Sequence, residues 1–389
     1  MQAGEIPRPQ GESSVRPTSA RGPGATARSA LRDARRWSRD TPVPSSQIIG
    51  AAAGLGGPVA CGVVTAHTVA GMLAALGALA AGGITATGVT ATGVTRLAGA
   101  AATAVAAGFT GVSIAGRGWV TAVAVVVTAA VVPVLGGFSR PAAEISTRFV
   151  TFVVITTGLG PVGDPLGVTS AFAVGAGWSM LVALLIAFAG RLAVRRGHAP
   201  PAQETPSPPL KALLRRWRAS LRAPHGWQYA LRLALCLAIA ETIEVLWRQP
   251  KAYWIAVTVV IVVQRGLDQA VVRVVQRAAG TVAGVVVGSV VLLWVLPPWL
   301  LVPIVAALAA LRPLLRARNY ALYATAMTPL VVLLMDGGQG TPPSTIAYRV
   351  VDTVLGCAIA IGAGYLPWTR LRPAPRQPAG NRTPDGKSP

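Results

Sequence analysis

Residues Lys251–Gly288, KAYWIAVTVVIVVQRGLDQAVVRVVQRAAGTVAGVVVG, decide how the rest of the chain is read. The stretch opens on Tyr253-Trp254 and then runs without a charge to Arg265. An aromatic pair before an apolar run marks the edge of a membrane span, where amphipathic rings sit at headgroup level. Arg265, Gln269, Arg273, Gln276 and Arg277 then recur at steps of three or four, with Leu267, Val271, Val272, Val274 and Val275 between them. That period predicts an amphipathic helix on the cytoplasmic membrane surface, as a lipid-headgroup anchor or as a basic funnel for organic anions. Gly280, Gly284 and Gly288 follow at intervals of four on one helix face, where another backbone can approach closely.

Composition carries this reading over the whole chain. Of 389 residues, 52% are hydrophobic and 12% charged, more apolar surface than soluble domains can bury. Twelve apolar segments are long enough, or nearly so, for a hydrocarbon core about 30 Å thick. They cover 47–65, 68–84, 97–114, 118–136, 146–162 and 168–190, then 228–247, 252–265, 279–296, 299–312, 320–336 and 347–367. The expected fold is all-α: a polytopic membrane protein of about 12 transmembrane helices in two six-helix repeats. Its parts are a disordered basic tail at 1–46, a degenerate repeat at 47–191, a linker at 192–226, a second repeat at 227–368 and a disordered tail at 369–389. The linker is Pro-rich and then basic, which predicts a short surface helix. Arg96-Leu-Ala-Gly99 and Arg277-Ala-Ala-Gly280 open corresponding segments and are a faint mark of the repeat.

The net charge of +22 sits in tails and loops without interleaved aromatics, so it predicts topology rather than nucleic-acid binding. With the N-terminal tail inside, most arginines fall on the cytoplasmic side, and only Arg117, Arg248, Lys251 and Arg349 fall outside. Both termini are expected in the cytoplasm of a multi-pass plasma-membrane protein. Gly158-Leu-Gly160-Pro-Val-Gly163 fits a dinucleotide pattern by letter but lacks a βαβ context, and no GxxxxGK[ST], HExxH or GxSxG occurs. No enzyme is expected. Cys61, Cys236 and Cys357 are isolated and read as buried structural thiols, and the scattered histidines give no metal site and no cofactor.

The intramembrane charges lie in the second half. Arg232, Glu241 and Glu244 fall in one segment, and Arg349 and Asp352 share a helical face in another. Such groups face a bundle interior or a wet cavity, because exposure to lipid costs roughly 2.5 to 3.5 kcal/mol or more. Glu241 and Asp352 are the candidate proton or cation sites. Arg277, then Arg273 and Arg232, are the candidates for attracting an anion. Glu244, Arg248, Lys251, Arg349 and Asp352 are expected near outer helix ends, as a charged vestibule or as side chains snorkelling to the interface. Tyr253 and Trp254 are expected at the outer boundary.

At these residues the chain resembles the fusaric acid resistance and aromatic acid exporter family, an integral membrane transporter domain. The resemblance rests on Tyr253, Trp254, Thr258, Arg277, Gly280, Thr281 and Gly284. It continues in Asn319-Tyr320, Thr328-Pro329 and Arg349-Val-Val-Asp352-Thr353 with Gly356. Plant aluminium-activated malate transporters share the Trp-x-x-x-Thr and Arg-x-x-Gly-Thr elements more loosely. The resemblance covers about 145 residues, from 225 to 370; the first half has only Ala66-His67-Thr68 near the corresponding place. It implies export of small, aromatic carboxylates, with Arg232, Arg273, Arg277, Tyr253, Trp254 and Thr258 as candidate pore residues. The expected partners are a small organic anion and membrane lipids. A homodimer paired through Gly280, Gly284 and Gly288 stands beside internal packing of the same face. A non-transporting, lipid-binding scaffold is the alternative function.

Overall fold

The computed structural model describes residues 42–83, 91–161, 163–196, 209–247, 249, 251–266, 270–292, 297–335 and 343–370. Most of both expected tails, residues 197–208 of the linker and Arg248 lie outside the described residues. Within them every element is helical. The first six helices are α1 (Ser45–Val64), α2 (Thr68–Ala81), α3 (Ala91–Ile114), α4 (Trp119–Leu135), α5 (Arg140–Thr157) and α6 (Pro165–Arg195). The amphipathic α7 (Leu210–Leu221) stands in the linker, and its Trp217 indole donates to the Val134 carbonyl at 2.9 Å. Then come α8 (Pro224–Leu246), α9 (Tyr253–Val262), α10 (Ala270–Leu292), α11 (Pro298–Arg318) and α12 (Tyr320–Met335). Last is α13 (Pro343–Ile359), which passes through a π-helical turn (Ala360–Tyr365) into α14 (Leu366–Arg370).

A helix stands over each of the twelve apolar segments, yet they are not equivalent spans. Six stretches are long and apolar enough to cross a membrane: Ser45–Val64, Gly93–Ile114, Trp119–Phe138, Pro165–Ala193, Pro298–Arg318 and Ala347–Trp368. Their outward faces are continuous apolar stripes, such as Val120, Val123, Val127 and Val131 on α4 and Leu181, Leu185 and Phe188 on α6. Exposed valines and leucines at steps of three and four are what lipid, not water, stabilises. The chain is a membrane-embedded, multi-pass helical protein.

The short helices are the innermost. With 10 residues, α9 rises about 15 Å, half a hydrocarbon core. Of the twelve expected spans, six have full crossing length among the described residues, and α9 is not one of them. Every residue of α9 from Tyr253 to Val260 is buried by its neighbours. A helix ending at that depth must satisfy its last carbonyls within the protein, since lipid offers no donors. The Tyr365 hydroxyl does this, donating to the Val262 carbonyl at 2.9 Å and accepting from the Gln264 amide at 3.0 Å. In the first half α2 plays the same part, buried from Met72 through Ala81 apart from Leu73's partial exposure.

Packing in the two halves corresponds pair by pair. α1 packs on α2, α2 on α6, α3 on α5 and α6, and α4 on α5; α8 packs on α9, α9 on α13, α10 on α12 and α13, and α11 on α12. Between halves, α4 lies on α8 as α11 lies on α1, and α5 touches α9 as α12 touches α2. Small residues permit the closest crossings. A Cβ at Gly111 would meet Thr156 and the Val153 carbonyl, and one at Gly284 would meet Thr328 and the Thr325 carbonyl. The glycine face of α10 is therefore occupied within the chain, by α12, and Gly288 on the same face is also buried. The Arg-x-x-Gly match does not mark equivalent places: Arg96 and Gly99 are exposed, whereas Arg277 and Gly280 are buried.

Candidate functional site

Ionisable side chains are drawn into the bundle at two levels. Near the end of α8, Glu241 is buried and Glu244 half-buried one turn on, and Glu244 is within electrostatic reach of Asp352 on α13. Asp352 is fully buried; one of its oxygens accepts a hydrogen bond from the Gln249 side-chain amide, and Oδ2 is shielded without a partner. One turn before it, Arg349 is also buried, with its guanidinium 3.4 Å from the centroid of the Trp254 ring. A desolvated cation over an indole contributes on the order of 2 kcal/mol. Arg349 and Asp352 thus do not snorkel to the interface. They close an internal acidic cluster in which α8, the 249 region, α9 and α13 meet.

Tyr253 and Trp254 are buried as well, covered by neighbouring helices rather than facing outward. Their rings lie 4.9 Å apart, Trp254 under Arg349 and Tyr253 against Gly158, where an added Cβ would fall 2.4 Å from the phenol ring. Gly158 therefore acts as a seat for Tyr253, not as part of a dinucleotide loop. Thr258 is buried one turn along α9, packed on Gly356 of α13. Tyr253 and Trp254 are brought together with Arg349, one turn from Asp352, whereas Arg232 lies near the other end of α8.

At that second level Arg232, near the start of α8, is fully buried. Its Nε donates to the Gly364 carbonyl, its guanidinium lies 4.6 Å from the Tyr365 ring centroid, and its Nη2 has no partner. Arg265 stacks at 4.6 Å on Tyr229 and donates to the Pro133 carbonyl at 3.1 Å. Arg265 is exposed in a bend after α9, outside any described helix, so the predicted stripe does not begin within α10. Arg277 is buried beside Cys357 on the continuous α10, with Nε unpartnered, so this residue of the expected surface stripe faces the interior. The backbone at Arg273 is helical and its side chain lies outside the described residues. Cys236 and Cys357 are buried as expected, but Cys61 is exposed on the outward face of α1.

Gln249, Tyr229 and Tyr365 escaped the sequence reading. Neither tyrosine has a periodic signal, since each acts through one hydroxyl or one ring placed by tertiary packing. No group of three or more His, Cys, Asp or Glu side chains that could hold a metal occurs among the described residues.

Residues 233–363 match the family described as fusaric acid resistance protein-like. The fusaric acid resistance-like segment runs from α8 into the π turn. It contains Glu241, Tyr253, Trp254, Thr258, Arg277 and Asp352, and it starts one residue after Arg232. The chain is similar to YhfK of Escherichia coli K12, at 31% identity over 166 residues, or 41% of this chain and 22% of that protein. It is similar to the membrane protein YvaC of Bacillus subtilis 168, at 31% over 149 residues, 36% of this chain and 23% of that one. A protein named ORF2 of Neisseria gonorrhoeae aligns at 31% identity over 147 residues, 36% of this chain and 34% of its own length. The alignments thus span between about a fifth and a third of these relatives. No solved structure matches the chain.

Proposed function

We propose that this protein is a plasma-membrane transporter that exports small organic anions, aromatic carboxylates in particular. The carrying observation is that Arg232, Arg277, Glu241 and Asp352 are buried within a helical bundle whose second half matches the fusaric acid resistance-like family. Intramembrane charges are costly, and buried ones mark ion and substrate paths. The working architecture is twelve membrane segments in two six-helix repeats, with both termini cytoplasmic, a tail before 47, a linker at 192–226 and a tail after 368. The matched helix pairs and the Gly111–Thr156 and Gly284–Thr328 crossings support duplication. The loop arginines support the orientation.

In that orientation Arg232, Arg265 and Arg277 form a basic inner level, and Glu241, Glu244 and Asp352 form an acidic outer one. An anion is drawn to the inner level. A membrane potential of about 100 mV, negative inside, then favours its exit by about 2.3 kcal/mol per charge. Protons returning through Glu241 and Asp352 would add drive.

Cellular tolerance tests the reading. Cells expressing the gene should survive higher concentrations of some aromatic acids, benzoate and cinnamate among them, than cells lacking it. Arg277→Gln protein that is still inserted should lose most of the difference. Tolerance that is equal with and without the gene across the panel would favour the scaffold alternative.

A further inference from the structure

A cavity of about 620 Å³ opens between α1, α2, α6, α11 and the start of α12, outside the charged levels described above. Its volume lies in the range of small-molecule sites. One wall is apolar, built from Leu55, Met180, Val182 and Ile186, and the other carries Arg312 and Arg316 of α11. Tyr323 hydrogen-bonds Arg312, whose Nε is shielded from solvent without a partner. Arg148 stands near both arginines and is itself engaged, donating to the Gly82 carbonyl at 2.8 Å. The start of α1, the end of α2, the end of α11 and the start of α12 border the cavity, with the middle of α6 along its side, so it lies toward the end of the bundle that carries Arg312 and Arg316.

The corresponding place in the other half explains what is missing. Under the pairing of helices, α1, α2, α6 and α11 correspond to α8, α9, α13 and α4. There side chains of the chain itself pack together: Arg232 lies on the Tyr365 ring, and Arg265 lies on the Tyr229 ring and donates to the Pro133 carbonyl of α4. On the open side α1 presents Gly50 and Gly54 and Gly82-Gly83 follow α2, so these two helices supply no ring, and the aromatic side chain at the cavity is Tyr323 of α12. An added Cβ at Gly54 would meet no atom within 4 Å, although Gly54 borders the cavity.

We infer that this cavity binds an aromatic carboxylate, its ring against Leu55, Met180 and Ile186 and its carboxylate on Arg312 and Arg316. A planar guanidinium matches a carboxylate in a bidentate fork, and the apolar wall removes the ring from water. The ligand class rests on the transport reading above; the site rests on the cavity. The same chemistry, an acidic head on an apolar body, could also come from an anionic lipid.

Equilibrium dialysis of radiolabelled 2-naphthoate against the full chain in nanodiscs of zwitterionic phosphatidylcholine tests the assignment. Saturable binding is expected, weakened about tenfold or more by Arg316→Gln, as for loss of a charge-assisted hydrogen bond. Gly54→Leu, which projects into the cavity beside Leu55 and leaves both arginines in place, should weaken it severalfold while thermal unfolding stays cooperative. No saturable binding by the unaltered chain, or equal binding by both variants, would overturn the site. Naphthoate binding that disappears in nanodiscs containing phosphatidylglycerol, and is not restored by raising the naphthoate concentration, would assign the cavity to lipid and also overturn it. Because dialysis needs no flux, efflux that persists without this binding would refute the pocket and leave the transport reading standing.

Discussion

Gly175→Val is expected to eliminate folded protein from the membrane fraction. A Cβ at Gly175 on α6 would fall 1.6 Å from the Ala74 carbonyl oxygen of α2, and one at Gly77 would fall 2.3 Å from the Phe172 carbonyl oxygen. The two helices meet backbone to backbone, so no rotamer change can make room. Overpacking that side chains can partly relieve costs about 1 to 3 kcal/mol. Here a whole helix must move away from the buried α2, against a total stability of about 5 to 15 kcal/mol for a typical domain. Gly177→Ala, two positions on, is the control: nothing lies within 4 Å of its Cβ. It should leave the yield unchanged or gain up to about 1 kcal/mol from helix propensity. Size-exclusion profiles of the detergent-extracted proteins read both outcomes, and a monodisperse Gly175→Val peak at the unaltered yield would refute this packing.

The second large effect is on coupling. If protons return through the acidic cluster, anion efflux rises as the external solution is acidified, because the inward proton gradient steepens. Glu241→Gln keeps the size and one hydrogen-bonding oxygen of the side chain and removes its exchangeable acid proton. Its efflux should become flat across the same external pH range. Glu144→Gln, at an exposed acid on α5, should keep the unaltered profile. A retained pH dependence in Glu241→Gln protein would remove Glu241 from the proton path and leave Asp352 and Glu244 to be tested in the same way.

Segment positions were legible because length and apolarity are local properties, and a helix stands over each run. What covers a helix face is not local. The period through Arg273, Arg277 and Gly280 shows that these residues share a side of a helix, and an arginine-bearing side reads as a surface when its neighbours are unknown. In the structure Cys357 of α13 covers Arg277, and α12 covers Gly280. Tyr253-Trp254 misled for the same reason: the pair does open a helix, but neighbouring helices cover it and both rings are buried. Glu241 and Asp352 were legible as interior charges because no lipid-facing position stabilises them. The hydrogen bond from Gln249 to Asp352 joins residues far apart in the chain, and no spacing in the sequence encodes that contact.

Flux of a defined anion through the purified chain is the most direct test of the proposed function. Proteoliposomes loaded with radiolabelled benzoate, with an imposed potential negative inside, should release it faster than protein-free liposomes. Reversing the potential should slow the release, and Arg277→Gln protein reconstituted to the same density should release it near the protein-free rate. Release from protein-containing liposomes that equals the protein-free rate at either potential, for benzoate and for larger aromatic acids, would contradict the account.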